Sequence, residues 1–197
     1  MNWLNKQKEA GFYQRGQDWL ERLSRQTNDW ASFEKKARDL AAEPAPPPLQ
    51  YCLGRILYGH DQSREGVQMM MSAYSRWPKN GYPPAPYVGD GVLRVLLKQG
   101  DLKPAEVIAN GLLEEPSCGS NPQWLGDVAV KAAGHGAADL AMRLWERKAS
   151  LDLVDQKGLE ALAAAGLRER LIQFYSDLSK KAPDNKSIEA ALVNLKK

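Results

Sequence analysis

The chain of 197 residues is poor in the side chains that build disulfide frameworks and metal sites. It has two cysteines, Cys52 and Cys118, and two histidines, His60 and His135. Two cysteines are too few to staple a small secreted domain. No CxxC or HExxH motif occurs, and both histidines fall where turns are predicted, so we expect no metal and no cofactor.

Long hydrophobic runs are also missing. No uninterrupted apolar stretch approaches the roughly 20 residues that span a membrane. The N-terminal segment, Met1 to Lys8, lacks the apolar h-region of a secretory signal. These absences, together with the low cysteine content, predict a cytoplasmic protein without a membrane span.

The sequence has no large excess of positive or negative charge. Lysine and arginine number 27 against 24 acidic residues, so the formal net charge is +3. No isolated carboxylate lies in an apolar run that would raise its pKa for acid–base catalysis, so we predict no catalytic residues and no enzyme. Nucleic-acid binding remains the alternative, through the basic residues Lys35, Lys36, Arg38, Lys180, Lys181, Lys186, Lys196 and Lys197.

What the sequence does contain is helical periodicity along most of its length. A first helix is predicted from Trp3 to Arg25, and a second one, capped by Asn28–Asp29, places Trp30 and Phe33 on one face. The prolines of 44–48 exclude a helix interior. The predicted organisation is an N-terminal helical pair at 1–43, a Pro-rich linker at 44–48, a repeat domain at 49–185 and a C-terminal capping helix at 186–197.

Four helical hairpins are predicted after the linker, at about 49–77, 86–115, 122–150 and 154–181, followed by a terminal helix at about 187–196. Their inner turns are expected at Gly59-His60-Asp61, Gln99-Gly100-Asp101, Gly134-His135-Gly136 and Ala165-Gly166. A turn glycine favours the left-handed backbone conformation that closes a helix. Self-similarity at this period is typical of a repeat array.

The first hairpin carries a specific pattern, Leu53-Gly54-x-x-Leu57 followed by Gly66-x-x-x-Met70-x-x-Ala73 and Pro78. This pattern resembles the tetratricopeptide repeat (TPR), with small residues where two helices approach and a larger residue four positions later. Later hairpins keep parts of it, at the positions Ala105, Ala109, Leu112, Ala141, Trp145, Leu171, Tyr175 and Leu178. First positions at 47, 86, 122 and 152 are spaced by 39, 36 and 30 residues, so the repeats are degenerate.

The resemblance implies an all-α fold, a right-handed α-α superhelix of about four TPR-like hairpins. It also implies a concave groove lined by the first helix of each hairpin. Carried over to this chain, the groove positions are Tyr51, Arg55, Tyr58, Tyr87, Asp90, Arg94, Leu97, Lys98, Gln123, Gly126, Val130, Gln156 and Glu160. Tyrosines and arginines in such a groove favour an acidic peptide, an aromatic peptide or one with a C-terminal carboxylate.

The N-terminal block supplies a second candidate surface. Trp3, Trp19 and Trp30 form an apolar patch if nothing covers them, and such a patch usually marks an interface. We expect these rings to pack on the first hairpin or to form a homodimer contact.

The predicted function is that of a non-enzymatic protein–protein interaction module. An adaptor, a scaffold or a chaperone of a bacterial-type assembly fits this description, by analogy with the fold. Self-assembly through the tryptophan-bearing block is the further alternative.

Overall fold

The computed structural model describes Arg22, Gln26 and residues 29–41, 45–61, 63–77, 84–151 and 155–196. Over these residues the protein is helical and contains no strand, which confirms the all-α class. In the same part of the chain no helix is long and apolar enough to cross a bilayer. The chain divides into two compact units, one ending at Val92 and the other beginning at Leu93. The predicted domain limits, which differ from this division, stay a prediction.

The first unit contains α1 (Trp30–Ala41), α2 (Pro47–Asp61), α3 (Arg64–Ser75) and the beginning of α4 (Ala85–Gln99). Asp29 caps α1, as predicted, because its Oδ1 accepts a hydrogen bond from the backbone N–H of Ser32 at 3.1 Å. The second helix begins inside the predicted 44–48 linker. Proline is tolerated in a first helical turn, whose N–H groups have no intrahelical partner.

The helices α2 and α3 approach each other through two glycines. A Cβ atom built on Gly54 lies 2.7 Å from the carbonyl oxygen of Gly66, and one built on Gly66 lies 2.7 Å from that of Gly54. Met70, four residues after Gly66, is 1% exposed. The small residues therefore allow the helix contact that their spacing predicts.

The first helix packs against this hairpin. Trp30 and Phe33 lie against the buried side chains of Leu53 and Leu57. The Trp30 ring also stacks on the imidazole of His60, with centroids 3.6 Å apart and planes 10° from parallel. Of the three tryptophans expected to pack on the first hairpin or to form a homodimer contact, Trp30 packs on the hairpin. Trp3 and Trp19, like the predicted helix Trp3–Arg25, lie outside the described residues.

In its described residues, the second unit contains the end of α4 and seven further α-helices, with a π-helical turn at Ala163–Leu167. These are α5 (Leu102–Glu114), the short α6 (Pro116–Gly119), α7 (Pro122–Gly134), α8 (Ala138–Ala149), α9 (Gln156–Leu162), α10 (Arg168–Lys181) and α11 (Lys186–Leu195). The limits of these helices agree with the predicted hairpin limits to within a few residues.

Left-handed glycines close three of the hairpin turns, as predicted. Gly100, Gly136 and Gly166 have φ values of 75°, 81° and 91°. At the first of these turns, Asp101 N donates to Leu96 O and Gly100 N donates to Leu97 O, each at 3.0 Å. These paired bonds satisfy carbonyls that the end of α4 leaves without an intrahelical partner.

The inner turn of the first hairpin lies later in the chain than the predicted Gly59-His60-Asp61. Gly59 and His60 lie within the last turn of α2, and α3 begins only after Ser63. The Ser63 hydroxyl accepts a hydrogen bond from Gly66 N at 3.2 Å and so caps α3. The hairpin therefore turns at a serine cap rather than at the earlier glycine.

The three hairpins that turn at glycine share one register of buried residues. The residue five positions after each turn glycine is fully buried, at Ala105, Ala141 and Leu171. The residue nine positions after it is also buried, at Ala109, Trp145 and Tyr175. Equivalent positions therefore perform the same packing role in successive hairpins, although their side chains differ in size.

Polar contacts join successive hairpins within the second unit. On the second helices, Arg143 of α8 pairs with Glu106 of α5 at 2.5 Å, and Arg170 of α10 pairs with Asp139 of α8 at 2.8 Å. Asn194 of the terminal helix α11 donates to Gln156 of α9, the first helix of the fourth hairpin, at 2.8 Å. Each contact joins residues 31 to 38 positions apart, which is about the length of one hairpin.

Candidate functional site

Tyr51 is a core residue, although its helical position predicts a groove residue. Its side chain is 3% exposed, and its ring meets Trp77 edge-on at a centroid distance of 5.7 Å. A Cβ atom on Gly91 of α4 would lie 2.3 Å from the Tyr51 hydroxyl oxygen. The ring therefore fills the space over a glycine and does not offer its face to a ligand.

Three other predicted groove residues act electrostatically on the Tyr51 hydroxyl. Burial raises the pKa of Tyr51 to about 12, the positive charge of Arg55 opposes this shift, and Tyr87 and Asp90 add to it. Tyr87 is 64% exposed and is the most accessible aromatic side chain of this group. Arg55, Tyr87 and Asp90 of the first unit therefore all influence the ionisation of this buried phenol.

Tyr58 is half-buried on α2, and burial also raises the pKa of its hydroxyl. Of the groove positions in the second unit, Leu97 is buried and Lys98 is exposed. Arg94 lies at partial exposure on α4 and forms an ion pair with Asp127 of α7, with Nη1 and Oδ2 2.8 Å apart. Its guanidinium is therefore directed to a carboxylate of the protein itself.

An open cleft of about 480 Å³ runs along α7 and α9, the first helices of two successive hairpins. Three predicted groove residues, Gln123, Gly126 and Val130, line it together. The complete lining is Pro122, Gln123, Gly126, Asp127, Val130, Lys148, Asp155, Lys157, Gly158 and Ala161. We name this surface the α7–α9 cleft.

The lining of the cleft contains an ion pair between a buried lysine and a partly exposed aspartate. Lys148 of α8 is 3% exposed, and its Nζ lies 3.5 Å from Asp155 Oδ2 and 5.1 Å from the centroid of the Trp145 ring. The second carboxylate oxygen of Asp155 accepts a hydrogen bond from Gly158 N at 2.9 Å and caps α9. The helix cap therefore fixes the carboxylate that faces the lysine.

Two glycines let the neighbouring helices approach this pair. A Cβ atom on Gly126 would lie 3.0 Å from Lys148 Cε, and one on Gly158 would lie 2.7 Å from Asp155 Oδ2. The Gly158 atom would also meet the Trp145 ring at 2.8 Å. Larger residues at these two positions would push the backbone away from the ion pair or displace its side chains.

Trp145 connects the pair to the core. Its Nε1 donates a hydrogen bond to the Tyr175 hydroxyl at 3.2 Å. Burial raises the pKa of Tyr175, the bond from Trp145 opposes this shift, and the negative charge of Asp155 adds to it. Lysine, aspartate, tryptophan and tyrosine thus form one polar cluster between α8, α9 and α10.

The sequence analysis missed Lys148, although the sequence holds a signal for it. Lys148 follows Ala141 and Trp145 at helical spacing, and both are buried, so the lysine continues an apolar stripe. A cation on such a stripe requires a partner, because an isolated buried charge costs several kcal/mol. Asp155, which caps α9, supplies the opposite charge.

Two smaller cavities lie beside α11. One of about 210 Å³ is lined by residues that include Gln156, Leu159 and Lys186, and one of about 120 Å³ by residues that include Gln156 and Glu160. The groove positions predicted for the fourth hairpin, Gln156 and Glu160, therefore lie next to the terminal helix. They do not line the α7–α9 cleft.

Within the described ranges, no group of three or more histidine, cysteine, aspartate or glutamate side chains is placed to hold a metal ion. Cys52 and Cys118 are both buried, and His60 is engaged by Trp30. Comparisons with protein families, with curated proteins and with solved structures found no match for this chain. The resemblance to the tetratricopeptide repeat therefore stays a prediction.

Proposed function

We propose that this chain is a non-enzymatic interaction module that binds an extended peptide segment of a partner protein along the first helices of its hairpins. In this proposal the hairpins continue as a TPR-like right-handed superhelix, and the protein acts as an adaptor, scaffold or chaperone in the cytoplasm. The observation that carries the proposal is the α7–α9 cleft, because three residues predicted to face a groove line it together.

The dimensions of the cleft suit a peptide. Its lining on α7 extends from Pro122 to Val130, which is about 12 Å of helix at 1.5 Å per residue. An extended chain advances about 3.3 Å per residue, so roughly four residues fit along this length. The volume of about 480 Å³ lies within the range of ligand pockets, about 300–1,000 Å³.

The test blocks the cleft without changing its charged residues at the floor. Ala161 of α9 lines the cleft and is partly exposed. We expect Ala161→Arg to fill part of the space and to abolish the capture of partner proteins. Val107→Arg is the matched control, because Val107 is 71% exposed on α5 and does not line the cleft.

The measurement is affinity capture from lysate with and without nuclease treatment, with bound proteins quantified for the wild type and both variants. The expected result is a set of proteins held by the wild type and by Val107→Arg but lost from a folded Ala161→Arg. Equal capture by all three proteins contradicts binding in the cleft. Capture that disappears with nuclease treatment alone supports the nucleic-acid alternative.

A further inference from the structure

The larger of the two cavities beside α11, of about 210 Å³, lies where this helix packs on α9 and α10. We name it the α11 cavity. Its apolar lining comes from Leu159 of α9 and from Ala190 and Ala191 of α11. Leu159 and Ala191 are buried and Ala190 is exposed, so the cavity reaches from the surface towards the core. Because an apolar cavity of about 150 Å³ holds a benzene molecule, this space accommodates an aromatic ring with one small substituent.

A buried tyrosine hydroxyl with an unused proton belongs to the same lining. Tyr175 of α10 lines the α11 cavity and is 1% exposed. Its oxygen accepts a hydrogen bond from Trp145 Nε1 at 3.2 Å, and an indole nitrogen can only donate. The Tyr175 proton therefore takes no part in this bond. Within the described part of the chain, no oxygen of the protein accepts that proton.

The hydroxyl end of Tyr175 lies on the side of the α11 cavity formed by the start of α9. Burial raises the pKa of Tyr175, and the negative charge of Asp155, the residue that caps α9, adds to this shift. Asp155 and the next residue, Gln156, both line the cavity. The unused donor is therefore next to the polar part of the lining, with the apolar side chains further along α9 and α11.

The neighbouring acceptors are bonded to other groups. Asp155 Oδ1 accepts from Gly158 N at 2.9 Å, and Gln156 Oε1 accepts from Asn194 Nδ2 at 2.8 Å. A buried donor without an acceptor in the protein is normally satisfied by a water molecule or by a ligand. A ligand of this cavity therefore needs an oxygen or nitrogen acceptor beside its apolar part.

The charges of the lining balance. Among the described residues that line the α11 cavity, Asp155 and Lys186 are charged, one negatively and one positively. An anionic ligand would face the carboxylate of Asp155, and a cationic ligand would face the ammonium of Lys186. The lining therefore favours neither sign, and an uncharged ligand avoids both repulsions.

We propose that the α11 cavity binds a small uncharged molecule that carries a ring-sized apolar group and a carbonyl oxygen, and that this oxygen accepts the hydrogen bond of Tyr175. The apolar walls account for the ring, the unused donor for the carbonyl and the balanced lining for the lack of charge. The binding is separate from the proposed peptide-binding function, because the described linings of the α11 cavity and the α7–α9 cleft share only Asp155.

The first measurement is an NMR titration of the isotope-labelled wild type with acetophenone, which has one phenyl ring and one carbonyl oxygen. We expect saturable shifts, and nuclear Overhauser effects from the probe to Leu159, to Ala191 and to the Tyr175 ring protons beside the hydroxyl. Ala190→Trp should fill the opening and abolish binding. The matched control is Val193→Trp, because Val193 is 50% exposed on the same helix and does not line the α11 cavity.

The decisive variant is Tyr175→Phe, which removes the donor and keeps the ring in the lining. It is titrated with acetophenone and with ethylbenzene, which has a methylene group in place of the carbonyl. The ratio of the two affinities cancels general effects of the substitution, including that of the Trp145 N–H left without its acceptor. We expect Tyr175→Phe to weaken acetophenone about tenfold relative to ethylbenzene. Tyr58→Phe, in α2 of the first unit, is the control and should leave the ratio unchanged.

The contrary results are distinct. An unchanged ratio in the folded Tyr175→Phe removes the hydroxyl from the recognition, and tighter binding of benzoate or benzylammonium than of acetophenone overturns the uncharged class. Wild-type protein that does not bind acetophenone saturably has a cavity for water only. If Tyr175→Phe does not fold, the wild type decides, because a probe that contacts residues outside the α11 cavity overturns the site. Peptide capture by the α7–α9 cleft is tested separately and is unaffected by each of these results.

Discussion

The contact of Gly54 with Gly66 predicts opposite effects for two identical substitutions in one helix. Gly54 and Gly59 both lie in α2. A Cβ atom on Gly54 would lie 2.7 Å from Gly66 O and 2.9 Å from Met70 Cγ, whereas one on Gly59 meets nothing within 4 Å. Gly54→Ala and Gly59→Ala thus introduce the same methyl group in a crowded and in an open position.

The magnitudes follow from two opposing contributions. Alanine is favoured over glycine in a helix by about 0.5–1 kcal/mol, and this gain is common to both variants. Only Gly54→Ala adds the cost of overpacking, about 1–3 kcal/mol, against a backbone oxygen that cannot rotate away. At roughly 2–4 °C per kcal/mol for a protein of this size, the two melting temperatures should differ by about 2–12 °C.

Thermal and urea denaturation, followed by far-UV circular dichroism, measure the difference. Gly59→Ala should raise the stability of the protein and Gly54→Ala should lower it. If Gly54→Ala stabilises the protein as much as Gly59→Ala, the two helices do not approach at the distance described, and the small-residue argument for the first hairpin fails.

Three further predictions concern a pKa, a turn and a cap. Because burial raises the pKa of Tyr51 from 10.0 to about 12, its stabilising contribution is complete below pH 10 and is lost between pH 10 and 12. Urea titrations at each pH should therefore show that the free energy of unfolding of the wild type falls by about 2–3 kcal/mol relative to that of Tyr51→Phe over that interval. Parallel pH profiles of the two proteins would refute the raised pKa. Gly136→Ala should destabilise the protein by about 1–2 kcal/mol, because its φ is 81°, while the neighbouring helical Gly134→Ala should not; equal melting temperatures would argue against the left-handed turn. Asn185 Oδ1 accepts hydrogen bonds from the first turn of α11, so Asn185→Ala should cost about 1 kcal/mol and increase amide hydrogen exchange in that helix, with unchanged exchange as the contrary result.

The limits of the helices were predictable because they depend on local chemistry. Asp29 caps α1, the turn glycines take left-handed conformations, and proline begins α7, all of which the sequence indicates from a few adjacent residues. The first hairpin turn was misplaced because a serine cap competes there with an earlier glycine. Two local signals of equal strength that lie about one turn apart cannot be ranked without the packing that surrounds them.

The side of a helix that becomes buried was harder to predict than the helix itself. Tyr51 occupies a position expected to face a ligand, yet a glycine on α4 makes room for its ring. Arg94 was assigned to a groove and pairs with a carboxylate 33 residues later. Periodicity orders the residues around one helix, but it does not state which neighbouring helix covers them.

The sequence by itself determined the all-α class, the succession of hairpins and the register of small and large residues that recurs after the turn glycines. These follow from caps, left-handed glycines and 3.6-residue periodicity, which act over a few residues. Only the tertiary structure decided that Lys148 is buried, that Asp155 and Trp145 hold it, and that a cleft opens beside it. Those contacts join separate helices of successive hairpins, and their energies depend on distance and burial rather than on position along the chain.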